Sequence, residues 1–244
     1  MPRIRQLGCT DIIARFTDQA FARAILGTNV PTIALGLQDE PMLASNLLSK
    51  LSEVSSNAED IARLAAEHLL DRGPENFAFV GSADRAWSKR REAAFYNFLV
   101  AWGYQPHIYR QPRRPANRAW EMEQDFLARW IADLSSSVGI FACDDDRGRE
   151  ILISCTLARR RVPEEVAVVG VDNDELICEL SQPPLSSVSL NAFGAGYNAA
   201  KLLYGLMKKK ICKARRVPIE ATRVVTRRSS DIVAIDDADV VNAI

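Results

Sequence analysis

Short apolar runs of strand character alternate with stretches of helical spacing along most of the chain. The runs at Asp11–Phe16, Pro31–Gly36, Phe77–Val80, His107–Arg110, Ser137–Ala142 and Val166–Val171 read as strands. Several, such as AVVGV, are nearly continuously apolar, as a strand covered on both faces requires. Between them, Asp18–Leu26, Ala58–Asp71, Ser88–Trp102, Ala119–Leu134, Arg147–Arg160 and Ala192–Lys208 carry helical patterns. In the second of these, Ile61, Leu64, Ala65, His68 and Leu69 recur on one face. Asn57 is placed to cap it, Glu59 and Asp60 suit its first turn, and Gly73-Pro74 breaks the chain before the next strand. Strand–helix alternation of this kind implies parallel sheets wound with right-handed crossovers. The fold class is α/β. There is no internal repeat and no low-complexity linker before the C-terminal stretch.

The 244 residues are 48% hydrophobic and 25% charged, enough apolar content for one large α/β unit or two small lobes. Lys plus Arg equals Asp plus Glu at 31 each, which argues against this stretch gripping nucleic acid by itself. The basic stretches Lys208–Lys210 and Lys213–Arg216 read as a helix C-terminus and a solvated turn rather than a DNA contact. The five cysteines are an odd number without metal-type spacing, as expected of reduced thiols in a cytoplasmic protein. No apolar run reaches membrane-spanning length, and MPRIRQLGCTDIIARF lacks a signal-peptide core, so no membrane association is expected.

Catalytic signatures are sparse. The two histidines, His68 in a helical apolar pattern and His107 beside Pro106, read as structural, and with so few a serine triad or a zinc site is hard to assemble. The twelve glycines form no phosphate-cradling loop. A non-enzymatic chain without cofactor or metal is expected. What remains is polar chemistry after strand ends, where open α/β sheets bind ligands. GIFAC runs into Asp144-Asp145-Asp146, AVVGV runs into Asp172-Asn173-Asp174, and FAFVGSADRAWSKRREAAF leads from a strand into a helix near Trp87 and Arg91. Asp145, Asp146 and Asp174 read as helix caps. Asp144, Asp172 and Arg91 together suit a polyol, because carboxylates accept from adjacent hydroxyls and a guanidinium donates from a rigid fork. Trp87 reads equally as a cover for a sugar's apolar face or as rim packing. Asp144 and Asp172 would also serve as the acid and base of a sugar-processing enzyme.

Four segments, in order along the chain, resemble lac-repressor-type sugar sensors. They are WSKRREAAF, GIFACDDDRGREIL, VPEEVAVVGVDNDELICELSQPPLSSV and VPIEATRVVTRRSS. Within that family DNDELICELSQPPLSSV, GYNAAKLLYGLMKKK and VVTRRSSDIVAIDDADVVNAI resemble a xylose-responsive branch whose sensor precedes an arabinose-activator-type DNA-binding domain. The resemblance implies a two-lobed, type I periplasmic-binding-protein-like fold with an incomplete N-terminal lobe, lacking one or two βαβ units. It implies a sensing domain over 1–230, with lobe one about 1–72 and 190–212 and lobe two about 73–189 and 213–229. Residues 231–244 would be a linker and the start of a helix-turn-helix domain, with Asp237 as a cap. Carried over by position, the ligand contacts fall on Arg91, Asp144 and Asp172. The implied partners are D-xylose or a similar pentose, operator DNA through the further domain, and a second copy in a homodimer. Two positions depart from the family: Asp144-Asp145 stands where Asn-Asp is usual, and Ser56-Asn57 where Asp-Asn is usual. A sugar-binding protein of a transport system is the alternative of the same fold.

Overall fold

A computed structural model describes residues 8–16, 19–36, 51–83, 85–110, 120–135, 137–208 and 213–231. The chain divides into two compact units, each drawn from separate stretches of sequence. The first comprises Met1–Asn57, Arg85–Trp87 and Asn191–Glu220; the second comprises Ala58–Asp84, Ser88–Leu190 and Ala221–Ile244.

The first unit holds strands β1 (Ile12–Ala14), β2 (Thr32–Leu35), β3 (Ser52–Ser56) and β9 (Arg216–Ile219), in the order β1-β2-β3-β9. All neighbours are parallel. Helices α1 (Gln19–Leu26) and α7 (Ala192–Met207) belong to it as well. Alternation along β2 explains why it needs apolar residues at successive positions. Ala34 joins Phe16, Ala22 and Ile25 in one cluster, whereas Ile33 joins Val54, Ala199, Leu202 and Leu203 in another.

The second unit holds β4 (Asn76–Val80), β5 (His107–Tyr109), β6 (Val138–Ala142), β7 (Val166–Asp172), β8 (Ser186–Leu190) and β10 (Ala221–Val225). Their order is β10-β8-β7-β6-β4-β5, with β10 antiparallel to β8 and the rest parallel. Its helices are α2 (Ala58–Leu70), α3 (Ala86–Ala101, whose first two residues are grouped with the first unit), α4 (Trp120–Ala132), α5 (Asp145–Leu157) and α6 (Glu175–Leu180). Val138, Ile140 and Ala142 of β6 pack with Leu127 and Ile131 of α4 and Ile151 and Leu152 of α5. The intervening Phe141 meets Phe79 and Phe95, at ring-centroid distances of 5.4 and 5.0 Å. Gly139 lies under Leu69 of α2, where a Cβ would stand 3.1 Å from its Cδ2. Gly73, with φ of 73°, supplies the left-handed residue that ends α2.

The six expected strands and six expected helices all form, within a few residues of their expected ends, and the architecture is α/β. Beyond these six strands and six helices the structure holds β3, β8, β9, β10 and the six-residue α6. The stretch Lys213–Arg216, expected as a solvated turn, ends in the first residue of β9, which pairs with β3. The compact units also differ from the lobes that the resemblance implied. Helix α2 belongs to the second unit, and β9 belongs to the first. In α2's case the reason is its packing on the second sheet, through Leu69 over Gly139 and His68 to Ser230. The expected linker and helix start over 232–244, and Cys212, lie outside the described residues. No helix among the described residues is long and apolar enough to cross a membrane.

Candidate ligand site at the strand ends of the second unit

β6 and β7 are parallel neighbours, and the residues at their C-terminal ends meet Arg91 of α3. Arg91 lies in the second turn of that helix and is only 4% exposed. Its Nη1 donates to the carbonyl oxygen of Cys143, the residue just after β6. Its Nη2 lies 3.8 Å from Oδ1 of Asp172, the last residue of β7. The Asp172 side chain is 51% exposed, so this carboxylate combines an arginine partner with open access. Burial pulls the Arg91 pKa below its usual value, and the charges of Asp172, Cys143, Asp144 and Asp145 oppose that pull. The guanidinium therefore sits in a shared field of three carboxylates. The structure brings Arg91, Asp144 and Asp172 together.

Asp172 has φ of 109° and the following Asn173 has φ of 53°. Consecutive left-handed residues other than glycine are costly, of the order of 1–3 kcal/mol each, and persist where their surroundings hold them. The expectation for the aspartate triplet needs revision. Asp144 is itself the N-cap of α5, with Oδ1 accepting from the Arg147 backbone N–H at 2.8 Å. The cap is thus Asp144, not its two neighbours, because β6 ends early enough to place that residue first. Asp144 remains half-buried, so capping and access to solvent coexist in one side chain. Asp146 is exposed and pairs with Arg149 at 3.5 Å. Asp174 caps α6, accepting from the amides of Leu176 and Ile177.

Asp145 has a role that sequence reasoning missed. It is 2% exposed and accepts from Ser187 Oγ at 2.6 Å and from the Asp174 backbone N–H at 2.8 Å. Its carboxylate lies so close over Gly170 of β7 that any Cβ there would collide with it. Burial raises its pKa to about 6; the bonds from Ser187 and Asp174 hold it down, and Asp172 adds to the rise. Ser187, Asn173 and Arg227 complete the surroundings of this turn, and no local sequence signal marks them. Trp87 is half-buried in the first turn of α3, four residues before Arg91, and groups with the first unit.

The histidines are not near this chemistry. His107 is exposed at the start of β5. His68 is buried, with Nε2 2.8 Å from Ser230 Oγ. Burial, with Arg72 adding to it, drops its pKa to about 3. An imidazole that stays neutral when folded but titrates near 6.5 when unfolded stabilises the fold above pH 6.5. That stability is lost as pH falls toward about 3, by up to about 1.4 kcal/mol per pH unit. The raised pKa of Asp145 opposes this slope from 3.8 to about 6. His68→Gln is therefore expected to flatten the acid side of the stability curve, read from urea midpoints between pH 7 and 4. An unchanged curve would mean that another group sets the acid limit. Cys143, Cys155 and Cys178 are free and buried, and among the described residues no group of three or more His, Cys, Asp or Glu could hold a metal ion.

Two α/β units with charged side chains gathered at strand ends define a class of small-molecule binding domains. The chain belongs to the family of periplasmic binding protein-like domains, whose model matches residues 66–230. Among its relatives is the xylose operon regulatory protein of Escherichia coli (strain K12). That protein is 33% identical over 235 residues, which cover 95% of this chain and 59% of the relative. A solved structure, that of the xylose-binding transcription activator xylR, superposes with a TM-score of 0.81 at 32% identity over 96% of this chain and 61% of that one. The lac repressor dimer bound to operator and an anti-inducer shares the fold, with a TM-score of 0.70 at 19% identity over 94% of this chain and 76% of that one. This chain spans about three-fifths of the length of the xylose operon regulatory protein.

Proposed function

We propose that this chain is the effector-binding part of a DNA-binding transcription regulator that senses a pentose, D-xylose or a close analogue, and controls sugar-catabolic genes. The observation that carries the reading is the buried Arg91 guanidinium held between the Cys143 carbonyl and the half-exposed Asp172 carboxylate, with Asp144 alongside. A polyol offers both donors and acceptors, so it satisfies an arginine fork and two carboxylates at once. The strained Asp172 backbone fits a residue shaped for recognition rather than for strand regularity. Trp87 would cover the sugar's apolar face.

The relative matched over 95% of the chain bears a regulator's name, which supports this reading over a transport protein of the same fold and over an enzyme. With equal numbers of acidic and basic residues, the chain would leave operator DNA to a further helix-turn-helix domain and act in the cytoplasm as a homodimer. The sugar would act through its differential affinity for two conformations of the regulator.

A thermal-shift panel of pentoses tests the proposal. D-xylose at a hundred times its Kd is expected to stabilise the protein by about 2.7 kcal/mol, with weaker responses to other pentoses. No response to any sugar, or turnover of a labelled sugar or glycoside, would remove the sensor reading.

A further inference from the structure

A network of four bonds surrounds the left-handed turn at Asp172 and Asn173, and one differs in origin from the rest. Asn173 N–H donates to Ser187 Oγ at 3.0 Å, Asp174 N–H donates to Asp145 Oδ2 at 2.8 Å, and Ser187 Oγ donates to Asp145 Oδ1 at 2.6 Å. These three come from Ser187 of β8 and Asp145 at the start of α5. The fourth is the Asn173 side chain, whose Oδ1 accepts from Arg227 Nη1 at 2.9 Å. Arg227 belongs to the closing segment that follows β10.

That segment has its own anchors. Ser229 O accepts from Val168 N–H and Ser229 Oγ donates to Val168 O, at 2.8 and 2.7 Å. Ser186 Oγ accepts from Arg227 N–H at 2.7 Å. The Arg227 side chain also donates to Glu179 Oε1 at 2.6 Å and Leu185 O at 3.1 Å. One guanidinium thus ties α6, the approach to β8, the closing segment and the turn that carries Asp172.

We infer that Asn173 and Arg227 form a positioning pair that couples the Asp172 carboxylate to the closing segment 226–231. The inference rests on the reading of Asp172 as a sugar contact. A sugar that fixes Asp172 steadies the closing segment through this bond, and by reciprocity a loosened Arg227 weakens sugar binding. A purely structural bond would change stability and leave that linkage alone.

Amide hydrogen exchange over 226–231, with and without D-xylose, together with D-xylose affinity by calorimetry on the full chain, tests the pair. Asn173→Gly keeps the left-handed backbone accessible and deletes only the acceptor; Asn173→Asp keeps an acceptor for the guanidinium. In the parent, D-xylose slows exchange of the Ser229 and Ser230 amides. In Asn173→Gly that slowing disappears and Kd rises about tenfold, and Asn173→Asp restores both. Undiminished protection of 226–231 in Asn173→Gly, or an Asn173→Asp variant as impaired as the glycine one, overturns the coupling while leaving the sugar reading intact. A parent that binds no D-xylose overturns both.

Discussion

Arg91→Ala is expected to abolish the D-xylose-dependent rise in melting temperature, with sugar affinity falling a hundred-fold or more, about 3 kcal/mol. The size follows from what the side chain does. Its fork is already desolvated and oriented by the Cys143 carbonyl, so its bonds to sugar hydroxyls need little further ordering. Its removal also takes away the positive charge that Asp144, Asp145 and Asp172 all act on. Arg91→Lys keeps the charge and loses the fork, so it is expected to retain only a small part of the response. Asp172→Ala should match Arg91→Ala in sugar response while leaving the buried part of the site intact, since its side chain is 51% exposed. The readout is the sugar-dependent part of the melting shift, because stability without sugar also changes when a buried charge is deleted. Responses equal to the parent's in both alanine variants would show that these residues do not hold the sugar.

The largest loss of stability is expected from Phe141→Ala. Phe79, Phe95 and Phe141 are all fully buried and meet edge to face or tilted at 5.0 to 6.3 Å. Deleting the central ring opens a cavity between β6 and α3 and should cost about 3–5 kcal/mol, lowering the melting temperature by roughly 10 °C. Trp102→Ala, at a residue 64% exposed, is the matched control and should cost under about 1 kcal/mol. Phe141 stands two residues before the carbonyl that receives Arg91, so sugar affinity should weaken with it. Equal urea midpoints for Phe141→Ala and the parent would mean that these rings do not knit the sheet to α3.

The elements legible in the sequence are those whose burial is written as apolar spacing. VGIFA and VAVVGV are almost fully buried strands, and their neighbours supply the same kind of surface. Strands β3 and β8 escaped for the opposite reason: they are buried and polar. Ser52 and Glu53 are 2% and 6% exposed, and Ser186 and Ser187 are fully buried. A serine inside a sheet is affordable only with a partner, and the partners are distant in sequence. Ser186 bonds to Arg227 and Ser230, and Ser187 bonds to Asp145, 42 residues away. Arg91, Asp144 and Asp172 were legible because charge directly follows an apolar run or opens a helix. Which member of the aspartate triplet caps the helix was not, because a one-residue shift in where β6 ends reassigns all three. Asp145 and Arg227 reach the residues next to Asp172 through bonds between segments far apart in sequence.

The interleaving of the two units has a consequence for how the chain is born. Strand β3 waits for β9, and the bond from the Arg215 amide to Ser52 Oγ spans 163 residues. Every strand of the second unit but β10 is synthesised in that interval. On the ribosome the first unit therefore holds an unmatched strand edge at β3, bordered by Glu53 and the serines of SEVSS, until β9 has emerged.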